Sequence, residues 1–522
     1  MTTMEINRAS QTRESRRCAA GGKKNRLGRA GAGRRRPIIQ IALLLLVGLG
    51  PLPPHAGAVT EEELGPAIRA AIAVPALEHG VTAVLVQSLR DGRTLYATNP
   101  KMALMPASNA KLFTAILALE HLGPEFRFPT VLAARGKVSQ GVLAGDLILK
   151  GFGDPTLVTA TLHDFVNAVR AKGIERVEGD LLVDATYFTA PRWGSGWSWD
   201  YLEDYYAMEI SALSLNNNTM ALVIQPGTEA GRPALISWAP PTRHMEVINE
   251  TTTGAPDSPR TLRYSRELGK NRVVVRGAIP LGSQPAVLDG IPVEDPALYC
   301  GHVLSELLRQ AGIPVAGRVR YGTLPEREAT RIYQHHSAPL SEILPLFLKP
   351  SNNHIGEQLI HTILAVEKAR LRQASQSGAQ TPPPSIEGLA DALITKSGAD
   401  PRAVRLVDGS GLSRLNLVTA LSVVQLLRYA YQQPYRDVLV RALPVAGNDG
   451  TLRRRMRETR AAGNVRAKTG TLNAVSGLSG YVTAASGEPL VFSILMNNFL
   501  AGSQPAREAQ DRICVLLSEL ER

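Results

Sequence analysis

The chain has 522 residues, 44% of them apolar and 20% charged, a globular composition long enough for two or three domains. A formal net charge of +12 points to nucleic acid at first sight, but residues 1–36 hold eleven Lys/Arg against two acids, so nine of those charges sit there. The remainder is close to neutral, which removes the case for a nucleic-acid partner.

In chain order, the basic start runs into "PIIQIALLLLVGLG" (37–50), 14 uncharged residues where a membrane-spanning helix needs roughly 20. "PLPP" and the small triplet Ala56-Gly57-Ala58 follow, so residues 1–58 read as a cleaved signal peptide and the protein as exported to the periplasm. Cys18 belongs to that leader. Cys300 and Cys514 either pair in an oxidising compartment or stay buried as small hydrophobes.

"TEEELGPAIRAAIAV" predicts a short capped helix, and "TAVLVQSLRDGRTLYATNP" a hairpin turning at Asp91-Gly92. "SNAKLFTAILALEHLG" predicts a helix closed by Gly123. Between about 126 and 340, short strand-like runs alternate with Gly and Pro. There "AGDLIL" (144–149) and "EGDLLV" (178–183) read as two strands with the same Gly-Asp turn rather than as a repeat. "RWGSGWSWDYLEDYY" (192–206) carries three of the four tryptophans and reads as a satellite core before a ligand wall. "LNAVSGLSGYVTAASGEPLVFSILMNN" predicts strand, turn, strand, and "AREAQDRICVLLSELER" a helix with Ala509, Ile513, Leu516 and Leu520 on one face. A hairpin and a helix at each end imply one α/β domain assembled from both.

Three short motifs carry chemistry. Ser108 and Lys111 form S-x-x-K at the start of the first apolar helix, one helical turn apart and within reach of each other. Alone, that pair is expected about once by chance in such a chain, and Ser108 reads equally well as a helix N-cap. Ser351-Asn352-Asn353 enters a second helix, and Lys468-Thr469-Gly470-Thr471 opens a strand. S-x-x-K, S-x-N and K-T-G in this order form the motif set of penicillin-binding proteins and serine β-lactamases. A lysine base must be neutral, a fall from about 10.4 to near pH 7 that costs about 4 kcal/mol of destabilised charge, and burial and Lys468 both push that way. H-E-x-x-H, a Walker loop and G-x-S-x-G are absent. His354 and His361 lack a third ligand and read as packing or surface residues, so no metal and no cofactor is expected.

With "GDLILKGFGDPTL", "SALSLNNN" (211–218), "DGSGLSR" (408–414) and "LPVAGNDGTLRRR" (443–455), the chain resembles the class C low-molecular-mass penicillin-binding proteins, the D-alanyl-D-alanine carboxypeptidase/endopeptidases, from about residue 60 onward. The 243-position separation of Ser108 and Ser351 matches that family's inserted domains. The resemblance implies an α/β penicillin-recognising (β-lactamase/transpeptidase-like) domain split into 59–125 and 341–522, with one or more β-rich domains inserted over 126–340. It implies a serine-type carboxypeptidase or endopeptidase acting on peptidoglycan peptides through an acyl-enzyme on Ser108, with β-lactams as inhibitors acylating the same serine. Lys111 is then the base and Ser351 the proton relay to the leaving amine. Asn353 holds Lys111 and the substrate amide. Lys468, Thr469 and Thr471 hold a terminal carboxylate, Gly470 allows close approach, and the N–H groups of Ser108 and Thr471 form the oxyanion hole. Asp200 or Asp204 is a candidate for the substrate's side-chain amine, against a plain solvated-loop reading. Membrane association is at most peripheral. The rival readings are a peptidoglycan-binding or sensor protein with little turnover and a serine β-lactamase; the insertion and the lack of the class A glutamate motif disfavour the latter.

Overall fold

The computed structural model describes residues 58–189, 191–325, 327–374 and 382–522. Apart from Ala58, the expected leader lies outside them. Thr60 caps helix α1 (Glu61–Ile72) in a reciprocal box with Glu63, and Leu64, Ile68 and Ala71 turn inward at helical spacing. β1 (Val81–Ser88) and β2 (Thr94–Thr98) pair antiparallel through the Asp91-Gly92 turn. Helix α2 (Ala110–His121) is buried from Ala110 through Leu119 on every face, as its nearly all-apolar sequence requires, and Lys111 is buried with it.

The next stretch is strand-rich. It contains β3 (Pro129–Ser139), β4 (Val142–Gly151), α3 (Thr159–Ala171), β5 (Leu181–Asp184), β6 (Thr219–Gln225), β7 (Leu235–Ala239), β8 (Glu246–Gly254), β9 (Arg263–Arg266), β10 (Arg272–Pro280), β11 (Ala286–Pro292), α4 (Pro296–Gln310), β12 (Val319–Tyr321) and β13 (Thr330–His336). They form a sheet of order β12-β5-β4-β3-β13, with Arg176–Val177 beside β4, and two three-stranded sheets, β11-β6-β7 and β8-β10-β9. The two Gly-Asp segments are neighbours in one sheet: β4 and β5 run parallel with Leu147 opposite Leu181. Leu147, Val183, Leu222, Val275, Tyr299 and Leu304 belong to one apolar cluster under these sheets.

The chain then returns with α5 (Leu340–Leu348), α6 (Asn353–Ala374), α7 (Ile386–Lys396), α8 (Ala420–Tyr431), β14 (Arg466–Leu472), β15 (Val475–Thr483), β16 (Pro489–Asn497) and α9 (Gln504–Glu519). The central sheet, β14-β15-β16-β1-β2, is antiparallel throughout and takes strands from both ends of the chain. Alternation along β1 sends Ala83 and Leu85 into the cluster with α2, α5, α6 and α8, and Val84 and Val86 into the cluster with α1 and α9. Each face of the sheet thus has its own helical layer.

Three expectations are corrected or resolved. No residue in 192–206 is buried, and Trp199 is 74% exposed, so the tryptophan-rich segment is not a satellite core. Ala509, Ile513 and Leu516 are buried on α9, but Leu520 is buried outside it, opposite Val59 in a two-residue parallel pair. Cys300 and Cys514 are both free, buried in different apolar clusters. Among the described residues, no helix is long and apolar enough to cross a membrane.

Candidate active site

Ser108 lies in a single 3₁₀ turn, Ala107–Asn109, that leads into α2. Asn109 occupies the cap position and no side chain caps the helix, so the second reading of Ser108, as a helix cap, does not hold. Its hydroxyl faces Lys111 instead. Lys111 Nζ donates to Ser108 Oγ at 2.9 Å, to Asn353 Oδ1 at 2.6 Å and to the Ser410 carbonyl at 2.6 Å. Asn353, the first residue of α6, in turn donates through Nδ2 to the Tyr206 carbonyl at 2.8 Å. One lysine therefore joins segments from both ends of the chain, and the tryptophan-rich segment fixes the amide that holds it.

Lys468 Nζ donates to Ser351 Oγ at 2.8 Å and to the Thr469 carbonyl at 2.9 Å. Ser351 sits just before α6 at φ +64, a left-handed conformation that costs a non-glycine residue on the order of 1–3 kcal/mol. Thr469 Oγ1 donates to Thr451 Oγ1 at 2.8 Å, and Thr471 is exposed two residues further along β14. β14 is an edge strand and presses on the serine turn: a Cβ at Gly470 would lie 2.6 Å from the Pro106 carbonyl and 3.1 Å from Ser108 N. A close approach that requires glycine there is to the protein's own turn.

Burial pushes Lys111 down to about 7, with Asp408 and Glu357 pulling back. Lys468 is held well below its ordinary value by burial and then by Lys111. Burial lowers both lysines and each positive charge disfavours the other, while Asp408 and Glu357 oppose the fall at Lys111. Asp408 and Ser410 come from "DGSGLSR", Glu357 from the turn after S-x-N, and Thr451 from "GNDGTL". Motif reading passed over their roles, although two of these stretches were among those that carried the resemblance.

Asp200 is exposed on the turn Trp199–Tyr201, and Asp204, also exposed, accepts from the Tyr206 hydroxyl at 2.7 Å. Trp197 donates its indole N–H to Asp408 at 3.0 Å. The histidines stand apart from this centre. Buried His354 contacts Gln358 at 3.1 Å, and His361 packs on the Phe188 ring. Among the described residues, no group of three or more His, Cys, Asp or Glu could hold a metal.

Residues 64–520 match the family described as D-Ala-D-Ala carboxypeptidase 3 (S13). The chain belongs to that family. It is 39% identical over 508 residues to a D-alanyl-D-alanine carboxypeptidase of Actinomadura sp. (strain R39), covering 94% of this chain and 91% of the relative. Its fold is that of penicillin-binding protein 4 from Haemophilus influenzae, at a TM-score of 0.69 and 24% identity over 87% of this chain and 99% of the other. A second structure of that protein, complexed with a β-lactam, matches at a TM-score of 0.66 and 25% identity over 86% and 98%. This S13 member is thus a serine peptidase by family, with a penicillin-recognising domain split in sequence by β-rich structure.

Proposed function

We propose that the protein is a serine-type D-Ala-D-Ala carboxypeptidase, D,D-endopeptidase or both, acting on peptidoglycan stem peptides from the periplasm. The observation that carries this is a fully buried Lys111 whose Nζ lies 2.9 Å from Ser108 Oγ. Ser108 Oγ attacks the carbonyl of the penultimate D-alanine as its proton passes to neutral Lys111. The C–N bond breaks, and the Ser351 hydroxyl, paired with Lys468, delivers a proton to the leaving amine. The proton held on Lys111 returns to Ser351, which leaves the lysine neutral; water then attacks the ester, giving a proton to Lys111, and that proton passes to Ser108 Oγ as the ester bond breaks. Asn353 holds Lys111 and the substrate amide. Lys468, Thr469 and Thr471 bind the terminal carboxylate, whose charge supplies what burial withholds from Lys468. Gly470 keeps β14 against the serine turn, so that the N–H groups of Ser108 and Thr471 form the oxyanion hole.

The same reading makes residues 1–58 a cleaved leader, 59–125 and 341–522 the catalytic domain, and 126–340 the insertion. β-Lactams acylate Ser108, as likeness to a β-lactam-complexed relative supports. The test is incubation of the protein, beside Ser108→Ala, with cross-linked and uncross-linked muropeptides, with products resolved by mass. Loss of terminal D-alanine or opened cross-links only when Ser108 is present supports the reading, and their ratio apportions the two activities. Penicillin labelling of Ser108 without peptide turnover would replace it with a sensor or binder, and fast release of hydrolysed penicillin would replace it with a β-lactamase.

A further inference from the structure

Glu357 is a buried carboxyl that the mechanism above leaves idle. It lies in the second turn of α6, 1% exposed, with Oε2 accepting the Gly409 N–H at 3.2 Å and Oε1 without a hydrogen-bond partner. The helix and the 408–411 loop touch backbone to backbone: a Cβ at Gly409 would stand 2.3 Å from the Gly356 carbonyl. The next groups of that loop reach α2. The Gly409 carbonyl accepts from Thr114 Oγ1 at 2.7 Å, and the Ser410 carbonyl accepts from Lys111 Nζ at 2.6 Å. Consecutive peptide groups thus connect Glu357 to the lysine.

The two buried carboxyls differ in their surroundings. Asp408 accepts four donors: the N–H groups of Gly411 and Ser413, Asn416 Nδ2 and Trp197 Nε1. Such a set suits a carboxylate. Glu357 has fewer, the Ser410 hydroxyl and the Gly409 N–H, and burial, reinforced by the Asp408 charge and opposed by those two hydrogen bonds and then by Lys111, pushes it up to about 8. The remaining titratable neighbours on its own helix, His354 and His361, are pushed down by burial to about 3 and about 4 and are uncharged near neutrality.

We propose that Glu357 is a positioning residue for Lys111: protonated, it anchors the 408–411 loop without adding negative charge, and ionised, it keeps the proton on Lys111 and withholds the base. The inference rests on Lys111 being the base for Ser108. A neutral Lys111 beside a protonated Glu357 carries the same number of protons as an ion pair between them, so the two forms compete at neutral pH. Glu357→Gln retains a carbonyl acceptor for the Gly409 N–H and removes the ion-paired form.

The measurement is the rate of penicillin acylation of Ser108 against pH, for the wild type and Glu357→Gln. In the variant, the acid limb should move to lower pH by roughly half a unit and become a single step, with the rate raised by up to about twofold between roughly pH 7 and 8, where the two forms compete, and little changed at about pH 6. The wild-type limb should spread over two steps, and this holds whether or not the variant folds. A single-step wild-type limb, a superimposable variant profile, a limb moved to higher pH, or a loss of rate at every pH would each overturn the proposal. If wild-type protein is not acylated at any pH, the proposed function fails instead.

Discussion

Lys111 concentrates the conflict between stability and chemistry in one residue. Its fall from 10.5 to about 7 corresponds to about 5 kcal/mol between charged and neutral forms inside the fold. Acylation should therefore rise with pH through about 7 as Lys111 loses its proton, and Lys111→Met should remove it, by 1000-fold or more, when labelling is followed with fluorescent penicillin. The same shift sets a pH-dependent stability. The unfolded chain keeps this proton up to about 10.5 and the folded chain releases it near 7, so between those values the unfolded state binds more protons and stability rises with pH. Lys111→Met lacks that slope. Urea unfolding at pH 7 and pH 9.5 should show wild type gaining on the variant by about 3 kcal/mol; parallel curves would mean that the lysine is not held neutral.

At the scale of elements, function depends on how closely edge strand β14 meets the serine turn. Gly470→Ala places a methyl 2.6 Å from the Pro106 carbonyl and 2.7 Å from Asn109 Nδ2, both in a buried turn. The strand or the turn must shift, and a displacement near 1 Å costs on the order of 100-fold in rate. Penicillin labelling and peptide turnover should fall together by about that factor, with thermal unfolding lowered only modestly. A second contact links the tryptophan-rich segment to the centre through Trp197 and Asp408. Trp197→Phe removes a hydrogen bond to a buried carboxyl, worth roughly 1.5–3 kcal/mol, and should lower both the unfolding midpoint and the acylation rate. An unchanged rate would confine that contact to stability. The helix cap at Thr60 and the hairpin at Asp91-Gly92 were legible in sequence because each depends on residues a few positions apart. The surroundings of Trp199 were not: aromatic density is the same in a core and on an exposed turn.

Over the whole molecule, both ends of the chain build one sheet without a covalent link. Cys300 and Cys514 lie in separate apolar clusters, where burial raises both thiols well above their ordinary range. Reducing agent should leave the unfolding temperature unchanged, and thiol titration of the denatured chain from Val59 should count both cysteines; a shift in either would mean that they pair. The sequence by itself determined the local elements and the three motifs on them, because capping, turn chemistry and hydrophobic period act over a few residues. Spacing alone left Ser108 between cap and nucleophile. Only the tertiary structure decided that Lys111 is buried and donates to a carbonyl 299 residues away, with burial lowering its proton affinity against the opposing pull of Asp408 and Glu357. Proton affinity follows the dielectric and the charges that folding gathers from distant parts of the chain, which no local pattern encodes.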